Sequence, residues 1–148
     1  MIKVTEATHK TRLTGFTFLA IINAVAFFVT IIFWGLVFFS HLIPFPGELS
    51  SSAERGNSAV TYGFMLGDVF YSAPLLLLAW LGLWKVKSWG WLAAQMANIL
   101  WIYSMTVILL RDANTSMSPG GLLFIPFLLI SIWAIPYLWI NRKEFGIS

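Results

Sequence analysis

GFTFLAIINAVAFFVTIIFWGLVFFSHLI, residues 15–43, contains no Asp, Glu, Lys or Arg. About 20 apolar residues suffice to cross the hydrocarbon core of a bilayer as a helix, so this stretch reads as a membrane span. Three more apolar stretches follow it, at about 59–84, 88–110 and 119–140. Polar punctuation separates them at 44–58, 85–87 and 111–118. Only helices and closed barrels satisfy every backbone group in lipid. These runs lack the alternation of a strand, so the expected fold is an all-α integral membrane protein of four antiparallel transmembrane helices in one domain, 1–148. The first span is about twice the length of a cleaved signal core and closes on no A-x-A-like site, so it is expected to stay as an anchor.

Composition supports the same medium. Of 148 residues, 59% are hydrophobic and only 10% charged, with a mean hydropathy of +0.82. A soluble domain carries about a quarter charged residues. This argues against a soluble enzyme, and the high apolar content argues against a disordered chain. A formal charge of +3 without a basic cluster does not make a nucleic-acid-binding face. The absence of cysteine excludes disulfides, thiol catalysis and Cys-ligated metals.

Local signals mark the boundaries. Pro44 and Pro46 close the first span, and Pro119 after Ser118 suits a helix start. Pro74, Pro126 and Pro136 fall inside expected spans, where they should kink or loosen the helix. Lys85–Lys87 is too short to be anything but a tight hairpin. Seven of the nine basic residues (Lys3, Lys10, Arg12, Lys85, Lys87, Arg142, Lys143) lie on one side of the expected membrane. Arg55 and Arg111 lie on the other. By the positive-inside rule, both termini and the hairpin are expected in the cytoplasm of a cell-membrane protein. Trp84, Trp89, Trp91 and Trp139 cluster at that same face, where indoles settle among headgroups.

P-loop, dinucleotide, zincin and nucleophile-elbow motifs are absent. His9 and His41 lie at opposite faces, so one subunit supplies no multi-histidine site. No ligand spacing among Glu48, Glu54, Asp68 and Asp112 suggests a metal. Asn114-Thr115-Ser116 matches a glycosylation acceptor, but in a short loop against the membrane.

The polar groups inside the spans are therefore the candidates. Asp68 is the only acid well inside an apolar stretch, and such a carboxylate needs a partner or a wet cavity. Arg111 is the expected partner, with Tyr71 and Ser72 on the same face. Gln95 and Asn98 share a face with Trp91, Ile102, Met105, Leu109 and Asp112. Asn23, Thr30, Trp34 and His41 form a similar stripe on the first span. By depth, Asn23, Gln95, Asn98 and Asp68 form a polar ladder, with His41, Arg111 and Asp112 at the outer rim. Such a ladder suits a transport path, and it equally suits interhelical hydrogen bonding. Ala59, Gly63 and Gly67 follow a small-xxx-small pattern that lets helix backbones approach closely, either to seal the monomer or to form a dimer seam, as do Ala20 and Ala24, and Gly90, Ala93, Ala94 and Ala97.

The first functional expectation is a non-catalytic accessory, assembly or lipid-organising subunit, embedded in the bilayer as a homo-oligomer or within a larger membrane complex. The second is a small oligomeric transporter or channel using Asp68 and the Asn/Gln ladder. The third is an enzyme or sensor for a lipid or quinone, which the aromatic first span together with Trp101 and Trp133 would accommodate. No metal or other cofactor is called for.

Overall fold

The computed structural model describes residues 14–114 and 119–148. Lys3, His9, Lys10, Arg12, Thr115, Ser116 and Ser118 lie outside them, so the expectations placed on those residues do too. Five α-helices follow one another: α1 (Thr14–Phe39), α2 (Ser52–Gly67), α3 (Ala73–Trp84), α4 (Ser88–Asn114) and α5 (Ile125–Ile140). The described residues contain no strand.

A π-helical turn, Asp68–Ser72, joins α2 to α3 into one apolar rod of 33 residues, Ser52–Trp84. Pro74 accounts for the loosening. It has no N–H for the carbonyl of Phe70, and its ring crowds that carbonyl. Widening by one residue accommodates both, so the expected kink takes the form of a π turn.

Among the described residues, three helices are long and apolar enough to cross a membrane: α1, the α2–α3 rod, and α4. The fourth expected span differs from the continuous helix expected over 119–140. Pro119–Phe124 winds as a 3₁₀ helix, and α5 begins only at Ile125, which puts Pro126 in its first turn. Sixteen α-helical residues rise about 24 Å. The six-residue 3₁₀ segment adds about 12 Å, and together they exceed the ~30 Å hydrocarbon core. The first and second spans also differ from expectation: α1 stops at Phe39 rather than Ile43, and the second helix starts at Ser52 rather than Ala59. His41 has φ 49°, a left-handed turn that ends the helix.

Dense packing joins α3 to α4, α1 to α3, and α4 to α5. Their contacts run in antiparallel register, with Phe16 and Leu19 of α1 clustering with Ala79 and Leu83 of α3, and Ala93 of α4 with Ala134 and Leu138 of α5. This cluster lies at the end of the bundle that carries the Lys85–Lys87 hairpin. A smaller one, Ala26, Leu76 and Ala97, follows toward the middle. Among the described residues, α2 has no comparably dense contact with α1, α4 or α5. The bundle is thus closed at the hairpin end and splayed at the other, called here the loop end.

Gly82 and Gly90 make the closure possible. A Cβ on either would overlap backbone atoms of the other, so α3 and α4 cross at backbone contact. The hairpin ends α3 in a Schellman pattern: the Lys87 amide donates to Gly82 O (2.9 Å) and the Val86 amide to Leu83 O (3.2 Å). Val86 occupies the left-handed position (φ 50°) usually given to glycine, and its side chain packs against the hairpin-end core. Trp84, Trp89 and Trp139 are exposed at this end. Large apolar side chains cover the outer faces of every long helix, including Phe18, Val25, Phe28 and Ile32 on α1 alone. Such a surface suits lipid rather than water.

Candidate functional site

Splaying leaves a cavity of about 570 Å³ at the loop end, between α1, α2, α4 and the 3₁₀ segment. Its volume falls in the ordinary range for small-molecule sites. Val29, Phe33, Trp34, Phe64, Trp101 and Phe124 supply most of the apolar wall. Thr30, Asn57, Thr61, Ser72, Ser104 and two charged groups, Asp68 and Arg111, supply the polar part.

Asp68 sits at the midpoint of the 33-residue rod, on the π turn. Its Oδ2 accepts a hydrogen bond from Trp34 Nε1 across the bundle (2.9 Å), and its Oδ1 accepts one from Ser72 Oγ (3.1 Å). An indole N–H can only donate, so this geometry fits a carboxylate acceptor. Both donors are neutral.

The structure corrects the expected pairing with Arg111. Arg111 Nε and Nη2 both turn to Asp112 Oδ1 (3.1 and 3.0 Å), the next residue on α4. Asp112 Oδ2 in turn accepts the Gly121 amide (2.9 Å) and so ties α4 to the 3₁₀ segment. A residue at the loop-end turn of α4 reaches its neighbour at less conformational cost than a carboxylate on another helix. Asp68 and Arg111 nevertheless line the same cavity.

The other candidates divide. Ser72 is in the site as expected. Tyr71 is 68% exposed and lines a second, open groove on the outer flank, which Asp68 and Ser72 line as well. Asn23 is buried, but its amide donates to Leu19 O of its own helix (2.7 Å). Gln95 donates to Ile135 O of α5 (3.2 Å), an interhelical bond of the expected kind. Gln95 Oε1 and Asn98 Nδ2 are buried without a partner. The ladder is therefore not a continuous chain of hydrogen bonds. Asp112 lies at the rim as expected, whereas His41 is exposed and stacks edge-on against Phe45 (5.3 Å). Ala59 and Gly63 are exposed, and a Cβ on Gly63 or Gly67 would meet nothing within 4 Å. Among the described residues these small residues seat no neighbouring helix, which leaves the dimer-seam alternative untouched. Ala93, Ala94 and Ala97 are buried as expected.

Trp34 was legible as an inward residue on its stripe, but not as the partner of Asp68. Trp101, which stacks on Phe127 (5.5 Å), was legible only as an aromatic near mid-membrane. The loop end is strapped by Tyr62 Oη to Ile43 O (2.7 Å), Ser58 Oγ to Pro44 O (2.6 Å), and the stacked rings of Phe45 and Tyr62 (4.9 Å). No sequence signal announced this strap. It fixes residues 43–45 over α2, beside the cavity. No group of His, Asp and Glu suited to a metal ion occurs among the described residues.

Compared with protein families, curated proteins and solved structures, the chain shows no match.

Proposed function

We propose that this protein binds a lipid-borne amphiphilic cation within the membrane, as a carrier or receptor. The observation that carries the reading is a carboxylate, Asp68, facing a roomy aromatic cavity and held, among the described residues, by the neutral donors Trp34 and Ser72. A polar residue that merely joins helices is consumed by its partners. Asp68 keeps acceptor capacity toward open space, and a carboxylate inside a membrane is a functional candidate by default. Trp34, Trp101 and Phe64 offer ring faces to the apolar body or the positive head of such a ligand. In the expected orientation, with both termini and the Lys85–Lys87 hairpin cytoplasmic, the cavity lies toward the outer leaflet.

Tetraphenylphosphonium is a suitable probe, because it is a permanent cation with an apolar shell. The full chain in nanodiscs should bind it saturably. Asp68→Asn should weaken binding by about 10- to 100-fold, the worth of a charge-assisted contact of about 1.5–3 kcal/mol. Equal binding by the two proteins would sink the reading.

The accessory-subunit reading has its own support. The lipid-facing side of α1 carries Phe18, Ile21, Val25, Phe28 and Ile32, a broad apolar face another membrane protein could cover. Recovery of one stoichiometric partner in gentle detergent, with no cation binding, would favour it.

A further inference from the structure

The open groove on the flank between α2 and α4 is lined by Val60, Gly63, Gly67, Tyr71 and Tyr103, and encloses about 320 Å³. We infer that it is a lateral portal through which the amphiphile passes from the bilayer to Asp68, an inference that rests on the cation-binding reading.

Three observations converge. First, Phe64, Asp68, Ser72 and Ser104 line both the groove and the deep cavity. One layer of side chains separates them, and the proposed counter-charge belongs to that layer. Second, the groove is kept open by the absence of side chains. Gly63, Gly67 and Tyr71 recur at four-residue spacing and so share one face of the rod. A Cβ on either glycine would meet nothing within 4 Å, so no neighbour requires glycine there for packing. Third, the loop end is the less accessible route. Ile43 and Pro44 are tied to α2 by Tyr62 and Ser58, and Arg111, Asp112 and Gly121 are bonded together across the other side. Opening that end breaks several hydrogen bonds, whereas opening the partition requires only side-chain motion of groups such as Phe64. The exposed phenols of Tyr71 (68%) and Tyr103 (64%) stand at the groove, where their hydroxyls face a charged head entering from the bilayer side.

A portal controls rates, not equilibria. The test compares wild type with Gly63→Leu/Gly67→Leu in nanodiscs, following tetraphenylphosphonium by stopped-flow tryptophan quenching and by equilibrium dialysis. Association and dissociation should both slow by about tenfold, with Kd changed by less than about twofold. Because the chain has no native cysteine, Gly67→Cys offers a second route. A bulky methanethiosulfonate added after folding should slow uptake, and dithiothreitol should restore it. Unchanged rates in a folded double-leucine protein or in the modified Gly67→Cys protein, with binding still dependent on Asp68, would overturn the portal alone. A wild-type dimer that the leucines dissociate would also overturn it, by showing that a second copy fills the groove. If wild type takes up no cation, the cation-binding reading and the portal fall together.

Discussion

Replacing Gly82 or Gly90 with alanine adds one methyl group at the point where α3 and α4 cross. At residue 82 the new carbon would overlap Gly90 Cα and N, and at residue 90 it would overlap Gly82 C and Cα. These are backbone atoms, so no rotamer change relieves the overlap. Carbon pairs rest about 3.5–4.0 Å apart, which requires the helices to separate by about 1 Å or more. Overpacking of this kind costs about 1–3 kcal/mol. The separation also loosens Leu83, Ala93 and Ala94, all buried beside the crossing. A gap of about 0.5–1 Å forfeits a quarter to a half of the dispersion attraction, bringing the loss to about 2–4 kcal/mol per substitution. Against this stands the better helix propensity of alanine, about 1 kcal/mol.

Gly63→Ala and Gly67→Ala provide the internal control. They carry the same propensity gain and meet nothing within 4 Å. The expected net effects are a loss of about 1–3 kcal/mol for the first pair and a gain of up to about 1 kcal/mol for the second. Unfolding of the full chain from mild detergent by dodecyl sulfate, followed by tryptophan fluorescence, measures both sets. If all four variants unfold at the same detergent fraction, α3 and α4 do not cross at backbone contact, and the reasoning fails.

Trp34→Phe removes one donor from the Asp68 carboxylate and should destabilise the protein by about 1.5–3 kcal/mol. The same change should cost clearly less in an Asp68→Asn background, and a double-mutant cycle without coupling would contradict the 2.9 Å bond. Asn98→Leu removes a buried donor without a partner, and should raise stability by about 1 kcal/mol or more. A loss instead would reveal a hydrogen bond that the folded protein makes at that amide. Asp112→Asn should lower the melting temperature by weakening the Arg111 pair and the bond to Gly121. An unchanged melt would mean that this junction contributes nothing to stability. For topology, Ser50→Cys should react with an impermeant maleimide on intact cells, and Lys87→Cys only after permeabilisation; the reverse pattern would invert the threading.

Much of the fold was legible because it depends on local properties. The uncharged run 15–43 and the apolar stretches after it announce helices in lipid whatever their neighbours. Asn23, Thr30 and Trp34 of the α1 stripe are buried, since 3.6-residue periodicity alone determines which side chains share a face. The hairpin at Lys85–Lys87 followed from its length. Helix ends were less legible. The 3₁₀ start of the fourth expected span and the left-handed turn at His41 depend on how the loops fold back, and hydropathy does not report that.

The site was legible in its members more than in its connections. Asp68 stood out because a carboxylate in an apolar run is costly anywhere. Its partner did not, because Trp34 and Asp68 are 34 residues apart and meet only after α1 packs on α3. The glycines illustrate the same divide. Gly63 and Gly67 carry the recognisable motif, yet a Cβ on either would meet nothing within 4 Å, while Gly90, whose spacing to Ala94 was legible, meets Gly82, which matches no spacing rule, at the crossing of α3 and α4.

By itself, then, the sequence determined the all-helical character, the apolar helices long enough to span a membrane and the faces they share, each following from residue-by-residue transfer energies and helical periodicity. Tertiary structure alone decided that the bundle closes at one end and splays at the other, that a cavity results, and that Asp68 faces it with only neutral partners. Those outcomes depend on which surfaces meet at van der Waals distance. One missing methyl group at a crossing changes that, and no average over a window of residues contains it.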